Sequence, residues 1–342
     1  MNDTSGEERI RLGHGGGGTL MRALIDAEFR GLYADSSQIL HDATVLPAIE
    51  GAVAFSVDSS VVQPLQFPGG DIGSLAVIGT ANDLAMAGAR PRHLSLAMIL
   101  EEGLPLRLLR QIVASIALAC AQCGVSVETG DTKVVERGKG DGLVLSTSGL
   151  GVIATPEPIH PRCIEAGDVI LVSGDLGRHG LAILAGRHGL ELQPPVLSDL
   201  QPLWPAVQAL LDQGIRLHCL RDLTRGGLAM VLQELADAGS WRFEIEEAAV
   251  PISDSVANSC RILGLDPWHL ACEGRFVAIV PAAQAAVALA LLAGSGGRRI
   301  GVVAAGEQPG GGPGAGTVIV RTPLNTTRRQ HPPSGELLPR IC

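Results

Sequence analysis

The hydrophobic and polar positions of this chain follow two periods, one typical of strands and one typical of helices. Short apolar runs bounded by turn residues predict strands over 52–57, 94–100, 125–127, 143–147, 149–154 and 169–172. Longer segments with helical character predict helices over 19–29, 74–88, 105–123, 179–185 and 227–238. Because strands and helices interleave along the chain, the pattern predicts an α/β or α+β fold.

Proline and glycine divide this pattern into domains. Residues 155–162, TPEPIHPR, carry three prolines and predict a boundary between an N-terminal domain over 1–155 and an α/β domain over 163–322. The glycine-rich segment 308–316 predicts a surface hairpin loop. Hydrophobic periodicity stops at Arg321, so residues 323–342 are predicted to form a flexible C-terminal tail.

Composition narrows the class of protein. The chain has 342 residues, of which 46% are hydrophobic and 18% charged, enough for two globular domains. A formal net charge of −9 and an aromatic content of 3% disfavour nucleic-acid binding. No apolar leader opens the sequence, and Pro281 divides the apolar run 276–293 into a strand and a helix, so we expect a cytoplasmic protein without a membrane span. The seven cysteines are then expected to be reduced thiols.

Acidic residues stand in unexpected places. The helix 74–88 is apolar nearly all round, yet Asn82 and Asp83 lie in its middle. A buried carboxylate is costly unless it is paired or binds a cation, so Asp83 either caps a backbone turn or faces a metal. Further aspartates fall in loops or near strand ends: Asp42, Asp58, Asp71 and Asp131. Together they predict a site for a magnesium–nucleotide complex.

A glycine loop, His14–Gly18, opens the chain without the Lys-Ser/Thr pair of a P-loop. Its backbone N–H groups are able to cradle phosphate, and an ordinary flexible turn is the alternative.

Four motifs together resemble one family: PGGDIG at 68–73, GTAND at 79–83, GDTKVV at 130–135 and the terminal PRIC at 339–342. From about Ile10 to Cys342 the chain resembles the HypE carbamoyl dehydratases, which help to build the cyanide ligands of [NiFe]-hydrogenase. The acidic motifs are shared with the wider superfamily of aminoimidazole ribonucleotide synthetase, selenophosphate synthetase and thiamine monophosphate kinase. The resemblance implies two domains, the first forming a β-barrel with its copy in a homodimer, with ATP in a cleft beside the barrel.

The resemblance also implies roles for particular residues. Cys342 would accept the carbamoyl group, with Lys133 and Glu273 near it. Mg²⁺ and ATP would be bound by carboxylates of Asp42, Asp58, Asp83 and Asp131. Further nucleotide contacts would come from Gly15, Gly16, Asp71, Asn82, Thr132, Asp222 and Thr224. Three positions depart from the usual family pattern, namely His41, Ser74 and Glu128.

The implied reaction is dehydration of an S-carbamoyl group on Cys342 to a thiocyanate. Its implied partners are the carbamoyltransferase HypF and the iron-carrying HypC–HypD complex. Glu273 has the alternative of a surface turn glutamate, and Lys133 that of an ordinary solvated lysine. Two other functions also remain open: a small-substrate synthetase or kinase of the same superfamily, and a nucleotide-binding carrier that does not catalyse.

Overall fold

The computed structural model describes residues 7–34, 42–306, 316–331 and 340–342, which form two domains. The first contains α1 (Thr19–Leu24), β1 (Val53–Ser60), β2 (Gln66–Phe67), β3 (Gly70–Asp71), α2 (Ile72–Met86), β4 (Ala89–Glu101), α3 (Leu106–Cys123), β5 (Ser126–Val135) and β6 (Leu143–Ile153). The second contains β7 (Val169–Val172), α4 (Arg178–His188), α5 (Trp204–Asp212), β8 (Cys219–Asp222), α6 (Gly227–Gly239), β9 (Arg242–Glu246), α7 (Asp254–Leu263), β10 (Phe276–Val280), α8 (Ala285–Leu292), β11 (Arg298–Ala304), β12 (Thr317–Arg321) and β13 (Thr327–Gln330). The predicted boundary falls between β6 and β7.

The first sheet has the strand order β1-β6-β4-β5, in which β4 and β5 are parallel and the other pairs antiparallel. Helix α2 packs across β1, β4 and β6, and α3 packs on α2. The opposite face of the sheet is open, and Phe55 and Val57 on it are 68% and 63% exposed. Large apolar side chains grouped on one face of a sheet indicate that the face is covered by something else.

The strands of this sheet are longer than predicted, and β5 and β6 differ most in what they contain. β5 continues to Val135 and includes the GDTKVV motif, and the predicted strands 143–147 and 149–154 are the single strand β6. Pairing with β4 and β1 continues without interruption through Ser148 and Gly149, which holds β6 in one piece. Asp131 therefore lies within a strand instead of past the end of one, and Asp58 likewise lies within β1.

Helix α2 is buried on nearly every side, as predicted. It begins at Ile72, two residues before the predicted start at Ser74, because Asp71 is the N-cap. The Asp71 carboxylate accepts the Ser74 N–H at 2.9 Å, and the Ser74 hydroxyl oxygen accepts the Asp71 N–H at 3.0 Å. Ser74, one of the departures from the family pattern, thus completes a capping box.

The second sheet has the order β13-β12-β9-β11-β7-β10-β8, with only the β9–β12 pair parallel among the described strands. The predicted tail begins later than expected, because Thr327–Gln330 form β13 and pair with β12 at the edge of this sheet. Most of its side chains are exposed, so the strand carries no hydrophobic periodicity to reveal it. The predicted hairpin loop lies outside the described residues except for Gly316.

The apolar run 276–293 is divided into β10 and α8, as predicted. Among the described helices, α3 is long and apolar enough to pass for a membrane span. It lies on α2 with Leu109, Ile112 and Ile116 buried, as a core helix does. All seven cysteines are free thiols.

Candidate functional site

Carboxylates from both domains meet where the domains touch. Asp83 projects from α2 and Asp58 from β1. The Ser56 hydroxyl donates to Asp83 Oδ2 at 2.7 Å, and a Cβ at Gly79 would lie 3.2 Å from Asp58 Oδ2. Burial raises the pKa of Asp83, the hydrogen bond from Ser56 opposes this, and the charge of Asp58 adds to it.

Asp222 joins these carboxylates from the end of β8. Burial raises the pKa of Asp222 to about 7, and the charges of Asp83 and Asp58 contribute. Directly after it the chain turns through Thr224 and begins α6 at Gly227. Gly227 has a φ of 59°, and a Cβ there would lie 2.6 Å from the Leu270 carbonyl oxygen, so the turn requires glycine.

Glu273 lies just before β10, and its side chain is buried, so the surface-turn alternative is wrong. Its Oε1 has no hydrogen-bond partner in the described part of the chain. Burial raises the pKa of Glu273 well above its usual range, and the charges of Asp222 and Asp199 raise it further. A buried oxygen without a partner is a group that a bound molecule can satisfy. Asp58, Asp83, Asp222 and Glu273 are called the acidic cluster below.

Cys342 is docked beside this cluster. The C-terminal segment, Arg340–Cys342, runs along Val61–Gln63, where the Val61 N–H donates to the Cys342 carbonyl oxygen at 3.1 Å. Ile341 is buried in the core of the first domain. Burial raises the pKa of the Cys342 thiol to about 12, and the charges of Glu273 and Asp58 contribute. These three residues, which were predicted to belong to a flexible tail, are packed against the first domain in this structure.

The other predicted residues lie at the opposite edge of the first sheet. Asp58 of β1 and Gly130 of β5 lie in register across the sheet, with strands β6 and β4 between them. Three strand spacings amount to about 14 Å. Asp131 and Lys133 follow on the open face, with the Lys133 Nζ 2.7 Å from Asp131 Oδ1. Lys133 is 63% exposed, and its hydrogen bond lowers the pKa of Asp131.

The glycine loop lies at this same edge. A Cβ at Gly15 would lie 2.8 Å from the Val134 Cβ, so the loop packs closely on β5, and Gly16 continues it. Asp42 is exposed, and two residues later the Thr44 hydroxyl donates to the Glu128 carbonyl oxygen at 2.8 Å. Asp42, Asp131, Lys133 and the loop His14–Gly18 are called the β5 group below.

Three residues predicted to contact the nucleotide have structural roles within the chain. Asp71 caps α2, and the Thr132 side chain is buried on the covered face of the sheet. The Asn82 Nδ2 donates to the Gln201 and Glu273 carbonyl oxygens at 3.1 and 3.0 Å, and Asn82 Oδ1 accepts the Leu203 N–H at 2.8 Å. Asn82 thus joins α2 to the second domain.

Sequence reasoning missed the segment Ser198–Gln201, which holds the Glu273 turn. The Asp199 carboxylate accepts the N–H groups of Glu273 and Gly274 at 3.3 and 3.4 Å. The Gln201 side chain donates to the Gly274 carbonyl oxygen at 2.9 Å. The available signal was one aspartate between Ser and Leu, which is indistinguishable from an ordinary turn residue.

Of the other two departures from the family pattern, Glu128 has an internal explanation. Its Oε1 lies 2.7 Å from the His93 Nδ1 and accepts from the Ser126 hydroxyl. His41 lies outside the described residues.

The predicted metal set is not assembled within one chain. Asp58 and Asp83 belong to the acidic cluster, whereas Asp42 and Asp131 belong to the β5 group. Across the described ranges, no three His, Cys, Asp or Glu side chains are arranged to hold a metal ion by themselves.

Comparison with known proteins agrees with the motifs. Residues 40–153 match the family AIR synthase related protein, N-terminal domain, and residues 165–311 match its C-terminal domain. The carbamoyl dehydratase HypE of Rhodobacter capsulatus is 44% identical over 345 residues, which cover 98% of this chain and 99% of the relative. The chain belongs to the HypE family of carbamoyl dehydratases. A crystal structure of the hydrogenase maturation protein HypE in complex with ATP matches it with a TM-score of 0.90 and 42% identity, covering 97% of this chain and 99% of that one. A HypE–HypF complex matches with a TM-score of 0.77 and 38% identity, covering 82% and 90%.

Membership of the HypE family decides between the enzymes that the acidic motifs left open. Other synthetases and kinases of the superfamily share the fold, but the relatives at this identity are carbamoyl dehydratases. The narrow family motif ends at Cys342, the thiol that lies beside the acidic cluster. The terminal PRIC motif and the acidic cluster therefore lie close together in the structure although they are far apart in the sequence.

Proposed function

We propose that this HypE-family chain uses ATP to dehydrate a carbamoyl group on its own Cys342 to a thiocyanate, which supplies cyanide ligands during [NiFe]-hydrogenase maturation. The observation that carries the proposal is that the docked C-terminal segment holds the Cys342 thiol within the electrostatic influence of Glu273, whose buried Oε1 has no partner among the described residues. The activity named for its relatives and the ATP-bound relative support the same reaction.

The chemistry removes an oxygen atom that leaves poorly as hydroxide. Transfer of the γ-phosphoryl group of ATP to the carbamoyl oxygen gives S–C(=NH)–O–phosphate, with loss of ADP and one N–H proton. The C–O bond then breaks, phosphate leaves with the electron pair, and loss of the second N–H proton gives S–C≡N. The carbon keeps its oxidation state, so the reaction needs no redox partner.

Glu273 is suited to hold the carbamoyl nitrogen and to remove its proton. A carboxylate with a raised pKa is a stronger base, once deprotonated, than an ordinary one. Lys133 carries a cationic head on an exposed side chain and is suited to stabilise charge on the transferred phosphoryl group. The ion pair with Asp131 fixes the position of the Lys133 ammonium group.

The acidic cluster fits a magnesium–ATP complex. Asp58, Asp83 and Asp222 offer carboxylate oxygens, and Mg²⁺ commonly binds one or two of these together with phosphate oxygens. Burial raises the pKa values of Asp83 and Asp222, and neighbouring carboxylates raise them further, so a bound cation would stabilise the ionised carboxylates. When bound, Mg²⁺ would neutralise charge on the phosphates. Thr224 and the first N–H groups of α6 lie next to Asp222 and offer phosphate contacts.

The β5 group needs a second copy of the chain to reach an acidic cluster. Within one chain, Asp58 and the Asp131–Lys133 pair are separated by about 14 Å across the first sheet and point to its opposite faces. The open face carries exposed apolar side chains of Val53, Phe55, Val57 and Ile99. A homodimer in which two such faces close into a β-barrel buries them and sets the β5 group of one chain toward the cluster of the other.

HypF is the proposed carbamoyl donor, and the HypC–HypD complex the proposed cyanide acceptor. The related HypE–HypF complex supports the first of these. A docked thiol with its pKa near 12 is a poor nucleophile at neutral pH, because the thiolate is the attacking species. Carbamoyl transfer therefore takes place with the C-terminal segment outside its pocket, and dehydration with the segment docked.

The test is intact-mass spectrometry of the full chain after incubation with HypF, carbamoyl phosphate and ATP. The wild-type protein gains a carbamoyl group and then loses water. Cys342→Ala gains nothing, and Glu273→Gln gains the group but loses water about 10²–10⁴-fold more slowly.

Glu246→Gln, an exposed glutamate on β9, is the matched control and behaves as wild type. Carbamoyl gain by Cys342→Ala places the acceptor on another cysteine. A wild-type protein that gains the group but does not lose water with ATP is a carrier, which contradicts the proposed catalysis.

A further inference from the structure

The C-terminal segment is held by more than its own backbone. In addition to the bond from Val61, the Gln63 N–H donates to the Arg340 carbonyl oxygen at 3.3 Å, so the segment runs antiparallel to Val61–Gln63. The Arg340 side chain forms an ion pair with Asp141 at 2.7 Å, but both side chains are substantially exposed. An exposed pair of this kind contributes little to holding the segment.

Helix α4 of the second domain provides the buried contact. The His179 Nε2 lies 3.0 Å from the Ile341 carbonyl oxygen, and His179 is fully buried. Two turns further along α4, an Arg187 Nη2 donates to the Arg340 carbonyl oxygen at 2.7 Å. One helix face therefore binds two successive carbonyl groups of the C-terminal segment.

The hydrogen-bond partners of His179 determine its tautomer. The Ile341 carbonyl oxygen is only an acceptor, so Nε2 carries the proton. The Ser198 hydroxyl lies 2.8 Å from Nδ1 and donates to it. Burial lowers the pKa of His179, so the ring is neutral at neutral pH, as this arrangement requires. Ser198 thus turns the imidazole into a donor aimed at the C-terminal segment.

Asp199, the residue next to Ser198, connects the His179 contact to the Glu273 turn. The Asp199 carboxylate accepts the His179 backbone N–H at 3.1 Å and, through the same Oδ1, the Glu273 N–H. Arg275 lies on this carboxylate as well, with its Nε 3.9 Å from Oδ2. The start of α4 and the Glu273 turn are therefore bound to one side chain.

We propose that His179, oriented by Ser198 and anchored by Asp199, is the positioning residue that latches the C-terminal segment in place and sets how often Cys342 lies beside Glu273. The latch concerns the location of the thiol and does not depend on what the thiol carries. Only its consequence for turnover rests on the proposed function.

The test measures how fast iodoacetamide labels Cys342 in the full chain. Cys163 is half-buried and the other five cysteines are buried, so a Cys163→Ser background isolates the signal, with Cys342→Ser as the blank. Loss of one buried hydrogen bond should make His179→Ala label roughly tenfold faster. His179→Gln, which keeps a donor near Nε2, should label within about twofold of the parent.

His188→Ala is the matched control, because this histidine is exposed on the same helix, and it should label at the parent rate. If a folded His179→Ala protein, checked by circular dichroism, labels at the parent rate, the proposal is overturned. Ser198→Ala serves if His179→Ala does not fold, because it removes the hydroxyl that orients the imidazole. It should label about threefold faster, and an unchanged rate again overturns the latch.

The second readout uses the two halves of the reaction. His179→Ala should slow the loss of water from pre-carbamoylated protein without slowing carbamoyl gain from HypF, whereas general damage to the fold slows both. If even the wild-type protein loses no water, the proposed function fails, and the labelling rates still decide the latch.

Discussion

Among single residues, the carboxyl groups of the acidic cluster lower the free energy of unfolding. Asp83, Asp222 and Glu273 are carboxyl groups whose pKa values are all raised, first by burial and then by the charges of nearby carboxylates such as Asp58. A group that binds its proton more tightly in the folded state destabilises that state once the pH exceeds its unfolded pKa. The site therefore lowers stability in the absence of a cation.

Asp222→Asn tests this directly. The folded pKa of Asp222, about 7, lies above the unfolded value of 3.8, so wild-type stability falls as the pH rises between the two. The variant should be more stable than wild type by on the order of a few kcal/mol at pH 8 and by clearly less at pH 5. Urea unfolding at both pH values measures this. Asp212→Asn, exposed on α5, is the control, and an equal gain for Asp222→Asn at both pH values contradicts the account.

At the scale of elements, α2 shows how a helix presents polar residues in the middle of a core. Its first turn is held by the Asp71–Ser74 capping box, its Asn82 amide holds the second domain, and its Asp83 faces Ser56. Gly73 lets α3 approach, since a Cβ there would lie 2.7 Å from the Ile112 carbonyl oxygen. The apolar pattern predicted the helix and its burial, but not the direction in which each polar side chain points.

The contribution of the Asp71 N-cap to the stability of α2 can be measured. Asp71→Ala should lower the free energy of unfolding by about 1–2 kcal/mol through loss of the cap, whereas Asp71→Asn, which still caps, should lose little. Both variants should bind ATP with unchanged affinity in calorimetry. If Asp71→Asn keeps its stability but loses ATP affinity, Asp71 contacts nucleotide as well.

At the scale of the whole molecule, the proposed catalytic parts of one chain are separated. Lys133 lies on the open face of the first sheet at one edge, and Glu273 lies beyond its covered face. A two-fold dimer pairs each part with its complement from the other chain, because both chains present the same surfaces.

Mixing two inactive variants tests the shared site. Lys133→Ala and Glu273→Gln should each be nearly inactive alone. After subunit exchange at equal ratio, half the dimers are mixed, and each mixed dimer has one intact site. Dehydration should therefore recover to on the order of a quarter of wild type. No recovery, with mixed dimers shown by native mass spectrometry, means that each site is built from a single chain.

The local pattern of the sequence was enough to predict the alternation of strands and helices, a boundary near residue 155 and the burial of α2. These depend on local periodicity and on residue type, which are written along the chain. The tertiary structure decided that β6 is one strand, that β13 pairs where a tail was expected, and that Cys342 lies beside Glu273. It also decided that Asp131 and Asp58 lie far apart, and that Asp199 carries the Glu273 turn. Each of these depends on partners distant in sequence, because strand pairing, docking and desolvation are properties of contacts and not of the residues alone.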